Sequence, residues 1–367
     1  MCKWKTFCVW GWLVLCAGNG AAWAQTAGQQ AVASFDKLVR SYNLISLGNA
    51  SFTSYGDTEG ALAVAGNLSL DGGSVATKTP AAGVGPAPTL YVGGNLTLNG
   101  TTSLSSGYAA TPALGGSWSW DGTQARLSGG GGVLSTINSS DSLARSDSRG
   151  NAVPSAWTWT TLADSFKSIS ATLAAIPPTG TISISGQTLS LIAPVSAQTG
   201  DVVTFTLDAS LLSGNTYNRQ MFSNVQFNVP AGLDYVVNVV NAAGKTLFGT
   251  GSGINFNSGS GYEALLWNIV AADDGGPTPS VSLGNGGQFF GAVLAPSVNL
   301  SNAGGTAVNG QVVAASYTHS GAELHYTDYT PALVFSAVPE PSTWGACGLG
   351  LCFLLGVGRR FRKNRRS

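Results

Sequence analysis

Side chains able to hold a metal or move a proton are few, and their spacing suits neither task well. The two histidines, His319 and His325, stand six residues apart, near Glu323 and Asp328. The four could ligate a metal, but six positions along a strand separate two side chains by about 20 Å. They read as exposed strand or loop residues, and no metal site is expected. Asp57 and Glu59, two apart, could share a strand face, with room for acid–base work or for Ca²⁺. Asp273 and Asp274 precede Gly275 and Gly276, a turn that could also hold Ca²⁺. The plainer readings are turn capping for the first pair and a solvated turn for the second. Neither pair has the neighbouring Arg or Lys with which a polysaccharide lyase neutralises its substrate and supplies a base. G-x-S-x-G, H-E-x-x-H and the P-loop are absent, and the glycines at 129–132 lack the following Lys-Ser/Thr. No catalytic residue and no cofactor is expected.

Aromatic residues are better candidates for recognition. Trp118 and Trp120 are spaced by two, as are Trp157 and Trp159, which turns each pair to one side of a strand. Exposed, they form stacking platforms for sugars or an adhesive contact with another surface. Buried, they pack on the segment that follows at 161.

The elements that would carry these residues are repetitive. Leu62-Ala63-Val64-Ala65-Gly66-Asn67-Leu68-Ser69-Leu70 recurs 28 positions later as Leu90-Tyr91-Val92-Gly93-Gly94-Asn95-Leu96-Thr97-Leu98. Its period of two puts Leu62, Val64, Leu68 and Leu70 on one buried face. The Gly-Asn pair suits a corner where the backbone turns or takes positive φ. Gly291-Ala292-Val293-Leu294-Ala295-Pro296-Ser297 recurs 19 positions later as Gly310-Gln311-Val312-Val313-Ala314-Ala315-Ser316. Short strands broken at glycine corners read as rungs of a right-handed β-helix or solenoid, with a β-sandwich as the competing all-β arrangement. Residues 101–160, Gly- and Ser-rich, read as an insertion. Leu162, Phe166, Ile169, Leu173 and Ile176 fall at helical spacing before Pro177-Pro178, which predicts an amphipathic helix over 161–176 along the flank of the β core. A second helix is expected over 29–40.

Both ends carry sorting information. Lys3 and Lys5 precede an apolar run over 7–17, and Ala22-Trp23-Ala24 offers small residues where a signal peptidase cuts, before Gln25. At the other end Pro339-Glu340-Pro341 precedes an apolar segment, 344–358, and then Arg359, Arg360, Arg362, Lys363, Arg365 and Arg366. That basic tail holds the terminus in the cytoplasm and leaves the preceding domain outside. All five cysteines (Cys2, Cys8, Cys16, Cys347, Cys352) lie in these end segments, so no disulfide staples the domain between them. Setting aside Lys3, Lys5 and the six tail residues from 17 basic side chains, and Glu340 from 17 acidic ones, leaves nine against sixteen over 25–337, a net −7. Such a domain has no basic stripe with which to bind nucleic acid.

The C-terminal arrangement closely resembles the PEP-CTERM sorting signal, over 338–367. The resemblance implies processing by an exosortase near Pro339, Glu340 and Pro341, in a Gram-negative bacterium that exports polysaccharide. Tyr42-Asn43-Leu44-Ile45-Ser46-Leu47-Gly48-Asn49, Asp57-Thr58-Glu59-Gly60, Leu266-Trp267-Asn268, Phe290-Gly291-Ala292-Val293-Leu294-Ala295-Pro296 and Val308-Asn309-Gly310-Gln311-Val312 look like the choice-of-anchor A domain of bacterial surface proteins. That likeness implies a β-helical, adhesive exterior domain. Residues 291–316 also resemble the last rungs of bacterial ice-binding β-solenoids, whose ice surface is a flat array of Thr, Ser and Ala. No sustained Thr-x-Thr ladder runs along this chain. The expectation is therefore a signal peptide at 1–24, a β-solenoid domain at 25–337 and a sorting segment at 338–367. The protein would be a surface or matrix adhesin contacting exopolysaccharide or neighbouring cells. A polysaccharide-acting β-helix enzyme and an ice-binding module are the alternatives.

Overall fold

The two copies of the 28-residue repeat are successive turns of one coil, paired residue for residue. Leu62, Ala63 and Val64 lie parallel to Leu90, Tyr91 and Val92, and Leu68, Ser69 and Leu70 to Leu96, Thr97 and Leu98. The 19-residue repeat stacks in the same way, Val293 on Val312 and Ala295 on Ala314, before two extra residues shift the register to Asn299 on Ser316. The computed structural model describes residues 25–332 apart from 40–41, 55, 79–88, 107–108, 111–117, 121–124, 130–131, 137–157, 214–215, 249–254, 258–260 and 271–275.

Parallel stacking of such coils gives three columns of strands, a β-solenoid. The first column runs, in spatial order, through Val202–Asp208, Asp234–Val240, Leu265–Ile269, 292–294, 312–314, Leu44–Ser46, Leu62–Val64, Leu90–Val92 and Ala109–Ala110. Spatial order and chain order therefore differ. The last coil of the chain docks on the first, Leu44 beside Val312 and Thr58 beside Leu324. Inward positions of successive coils stack like on like into one apolar column, for example Phe205, Val237, Trp267, Val293, Val312, Leu44, Leu62 and Leu90, all 1% exposed or less. Each such side chain except Phe205, whose strand ends the column, is covered by a neighbour above and below, which is how a coil with no cysteine reaches a closed core.

Out-facing residues of the first column are covered by two helices, α1 at Ala27–Val39 and α2 at Trp159–Ala174. Both start two residues before the expected positions because a cap lies one step earlier. Thr26 and Gln29 form a reciprocal capping box, and Thr158 Oγ1 accepts from Thr161 N. Leu162, Phe166, Ile169 and Leu173 of α2 are buried, together with Ile45, Ala63, Val313, Leu294 and Val236 of the sheet. The helix carries the chain back along the stack. Trp159 stacks on Tyr91 at 4.9 Å, and Leu173 O accepts from Asn238 Nδ2 at 2.9 Å. Those two strands are six spacings apart, about 29 Å, which sixteen helical residues and the side chains at their ends can span. Residues 101–104 and 132–136 belong to the third column, where Thr102, Leu104 and Leu134 point inward. Their Gly/Ser-rich surroundings hide that alternation in the sequence.

The Gly-Asn corners turn without positive φ. Glycine is required there by close approach instead: a Cβ on Gly66 would lie 2.4 Å from Asn49 Oδ1 and 2.8 Å from Gly48 C. Gly94 sits the same way over Asn67 Oδ1.

Candidate functional site

The corner asparagines form a hydrogen-bonded row. Asn49 Oδ1 accepts from Asn67 N at 2.8 Å, and Asn67 Oδ1 accepts from Asn95 N at 2.9 Å. Two residues further along each strand, on the outward face of the second column, stands a second row: Thr246, Ser282, Ser301, Thr318, Ser51, Ser69 and Thr97. These seven residues come from seven consecutive coils and are in direct cross-strand register. Every member carries a hydroxyl and none is charged, although Ser282 Oγ is itself buried, with no hydrogen-bond partner among the described residues. Neighbours in a row are about 4.8 Å apart, and the rows are about 6.7 Å apart along the strands. Asn99 Nδ2 donates to Ser69 Oγ at 3.2 Å, and Ser316 Oγ donates to Asn299 Oδ1 at 2.6 Å, which pins the polar groups beside the ladder. Inward neighbours Leu300, Tyr317, Phe52, Leu70 and Leu98 are buried and back the face from behind.

No ladder is visible along the chain because its members alternate with inward residues and lie in different coils. The 28-residue repeat already contained one rung of it, Ser69 and Thr97. The register shift after Ala295 hid the rest.

The titratable residues go elsewhere. His319 is not an exposed strand residue: it is fully buried, its ring 5.2 Å from that of Phe52. Its Nδ1 lies 3.1 Å from Tyr317 Oη and its Nε2 2.7 Å from Ala322 O. Burial depresses its pKa, partly offset by the Ala322 carbonyl. His325 is half-buried beside Glu59, with Nδ1 3.1 Å from Glu59 Oε1 and Nε2 3.6 Å from Glu323 Oε2. Glu59 Oε2 also accepts from Lys78 Nζ at 2.6 Å and Tyr326 N at 2.8 Å. Burial alone would raise the Glu59 pKa; Lys78, His325 and Tyr326 outweigh it and hold the carboxyl below its ordinary value. A carboxylate so engaged ties coils together. Asp57 accepts from Thr77 Oγ1 at 2.9 Å. Among the described residues no group of three or more His, Cys, Asp or Glu is arranged to hold a metal ion.

Residues 36–326, the whole stack of coils, match the family described as an ice-binding-like adhesive domain. The chain belongs to that family. Residues 337–363 of this adhesive-domain protein match the PEP-CTERM protein-sorting motif, which implies export to the cell surface of a Gram-negative bacterium and processing by an exosortase. Solved structures similar to the adhesive domain include an ice-binding protein of the Antarctic ascomycete Antarctomyces psychrotrophicus, at 13% identity and a TM-score of 0.28, with 79% of this chain and 96% of that one covered. Ice-binding protein 1 of Shewanella frigidimarina is 11% identical with a TM-score of 0.31, covering 80% of this chain and 95% of that one. An Arctic yeast ice-binding protein is 11% identical with a TM-score of 0.30, covering 83% and 96%. No curated protein matches the chain in sequence.

Of the tryptophans, Trp159 opens α2 rather than a strand, so it does not share a strand face with Trp157, which lies outside the described residues. It packs on Tyr91 at the flank of the adhesive domain. Trp118–Trp120 is a strand, antiparallel to Ala125–Gly129. Gln25 precedes α1. Ala22, Ala24, Asp273, Asp274, Pro339, Glu340, Pro341 and the six basic tail residues lie outside the described residues. No described helix is long and apolar enough to cross a membrane.

Proposed function

We propose that this protein is a non-enzymatic adhesin displayed on the cell surface, whose hydroxyl ladder is its contact face for exopolysaccharide or for the coats of neighbouring cells. The observation that carries the reading is the uninterrupted register of Thr246, Ser282, Ser301, Thr318, Ser51, Ser69 and Thr97 in a domain of an adhesive family. A regular, uncharged array of donors and acceptors exchanges hydrogen bonds with a sugar polymer without stripping water from any ion. Tethered copies then multiply weak contacts into firm attachment. Residues 1–24 act as the signal peptide, removed between Ala24 and Gln25, and 344–358 with the basic tail hold the chain for exosortase. The adhesive domain is of the choice-of-anchor A type, and the tryptophans at 118, 120, 157 and 159 add stacking contacts.

The test is binding of purified 25–337 to extracted exopolysaccharide, with analysis of the polymer afterwards. Saturable binding to intact polymer that Ser69→Asp and Thr318→Asp abolish is expected. Binding unchanged by both substitutions, or shortened polymer with new ends, overturns the reading. The same ladder favours a second reading, ice binding, because a regular hydroxyl array also orders water. Partition of the labelled domain into a growing ice front, lost in the same two variants, would select it.

A further inference from the structure

The end of the solenoid opposite the 90–136 coils is closed by a hairpin, Thr181–Ser185 against Thr188–Ile192. The inner strand of that hairpin continues the stack through Asn224–Phe227. Among the described residues the outer strand, Thr181–Ser185, pairs with nothing further. Its inward residues Ile182 and Ile184 are only partly buried, whereas Leu189 and Leu191 beside them are 1% and 5% exposed. The stack therefore ends one strand short of covering its core. Sheet edges are ordinarily blunted by charge, proline or a bulge. This one has none, and residues 168–200 contain no charged side chain at all.

From this we infer that Thr181–Ser185 pairs with the same strand of a second copy, joining two solenoids end to end. The pattern Thr-Ile-Ser-Ile-Ser is nearly symmetric about Ser183. Antiparallel pairing about a two-fold axis at Ser183 sets Ile182 opposite Ile184 in both directions and Thr181 opposite Ser185. The backbone has the matching phase. In the hairpin, the Ser185–Thr188 pair flanking the two-residue turn is hydrogen-bonded, so the pairs at Ser183 and Thr181 are too. That leaves N–H and C=O of Ile182 and Ile184 pointing outward. These are the groups that the symmetric register joins, making four inter-chain hydrogen bonds and extending the apolar row by one strand. Ile192 and Val195, 49% and 108% exposed, are further apolar side chains at this end, Ile192 on the outward face of the hairpin beside Thr181. The area is below that of a standard interface, so association in solution is weak and grows with surface density. Ala332 N is held by Asp234, in the second strand of the first column from this end. Both chains would accordingly leave the pair near its joint.

Residues 25–337 contain both hydrophobic clusters complete and no cysteine, so Ser183→Cys in that fragment carries a single thiol. Across a non-hydrogen-bonded antiparallel pair the Cα atoms are about 4.5 Å apart, within disulfide reach. Under mild oxidation Ser183→Cys should form a covalent dimer at least about tenfold faster than Thr97→Cys, an exposed thiol on the ladder of another coil. Ser183→Lys should sediment as a monomer at concentrations where the native domain associates, and mixing it with Ser183→Glu should restore the pair. Equal cross-linking rates, or association unaffected by Ser183→Lys, would overturn the inference. Neither measurement involves polysaccharide, so its outcome is independent of the adhesive reading.

Discussion

His325 Nδ1 lies 3.1 Å from Glu59 Oε1, a side-chain contact across the seam where the last coil of the chain docks on the first, added to the strand pairings Leu44–Val312 in the first column and Ala50–Tyr317 in the second. In the third column the strands at this seam meet through a single register pair, Thr58 with Leu324. Glu59 supplies what the short pairing lacks, by also accepting from Tyr326 N and Lys78 Nζ.

Glu59→Gln should therefore loosen the seam. It keeps one acceptor for Tyr326 but loses the charge that Lys78 and His325 answer, at a cost of about 2 kcal/mol. Because the folded carboxyl titrates below its ordinary value, its stabilisation is present above the unfolded value of 4.5 and fades as pH falls through the folded one. Denaturant midpoints should show the native protein losing this increment on acidification and the variant lacking it throughout.

Asp234 responds to pH in the opposite sense. Burial pushes its carboxyl up to about 7, against the hydrogen bond from Ala332 N. Tyr329 is buried nearby, its hydroxyl pushed further up by the charges of Asp234 and Asp36. The folded state holds the Asp234 proton more tightly than the unfolded chain does. Its favourable term is thus complete below the ordinary value of 3.8 and is lost as pH rises through about 7. His319, its pKa depressed by burial, loses stability instead as pH falls below 6.5. Asp234→Asn keeps an acceptor for Ala332 and removes the first slope. Melting between pH 5 and 8 should show that variant gaining on the native protein as pH rises, and an unchanged gap would reject the assignment.

Much of this architecture is written in the sequence where a repeat copies itself at constant spacing. Leu62–Leu70 and Leu90–Leu98 alternate cleanly, and their inward leucines and valines are the core of the solenoid. Leu162, Phe166, Ile169 and Leu173 announce the helix that covers it. What could not be read was which coil neighbours which. Nothing local tells Ser51 that Thr318 stands beside it, because that neighbour follows from α2 returning the chain to the far end of the stack. The burial of His319 was hidden for the same reason. Its inward phase follows from pairing with Asn302 and Phe52, both distant in sequence.

The clamp that seats α2 gives a third prediction. Asn268, fully buried, donates from Nδ2 to Ser170 O and Asn238 Oδ1, and its Oδ1 accepts from Ser170 Oγ at 2.6 Å. Asn268→Leu fits an apolar side chain but strands those partners under the helix, each worth about 1–3 kcal/mol when left unpaired. Pairing the substitution with Ser170→Ala should recover part of the loss in a double-mutant cycle. Strict additivity would show that the clamp carries no coupling.

At the corners, Gly66→Ala separates close approach from backbone freedom as the reason for glycine. Gly66 has no positive φ, so alanine meets no torsional penalty there. Its Cβ would nonetheless stand 2.4 Å from Asn49 Oδ1, the atom that accepts from Asn67 N. Overpacking of this kind costs about 1–3 kcal/mol. The double change Asn49→Gly, Gly66→Ala removes the obstructing amide and should be less destabilised than the sum of its parts. The same substitution tests the binding face, because the asparagine row sets the distance between the coils on which Ser51 and Ser69 stand. Polysaccharide binding that weakens in Gly66→Ala while the folded fraction stays constant would show that the face works through its regular spacing. Binding that tracks stability alone would show that it does not.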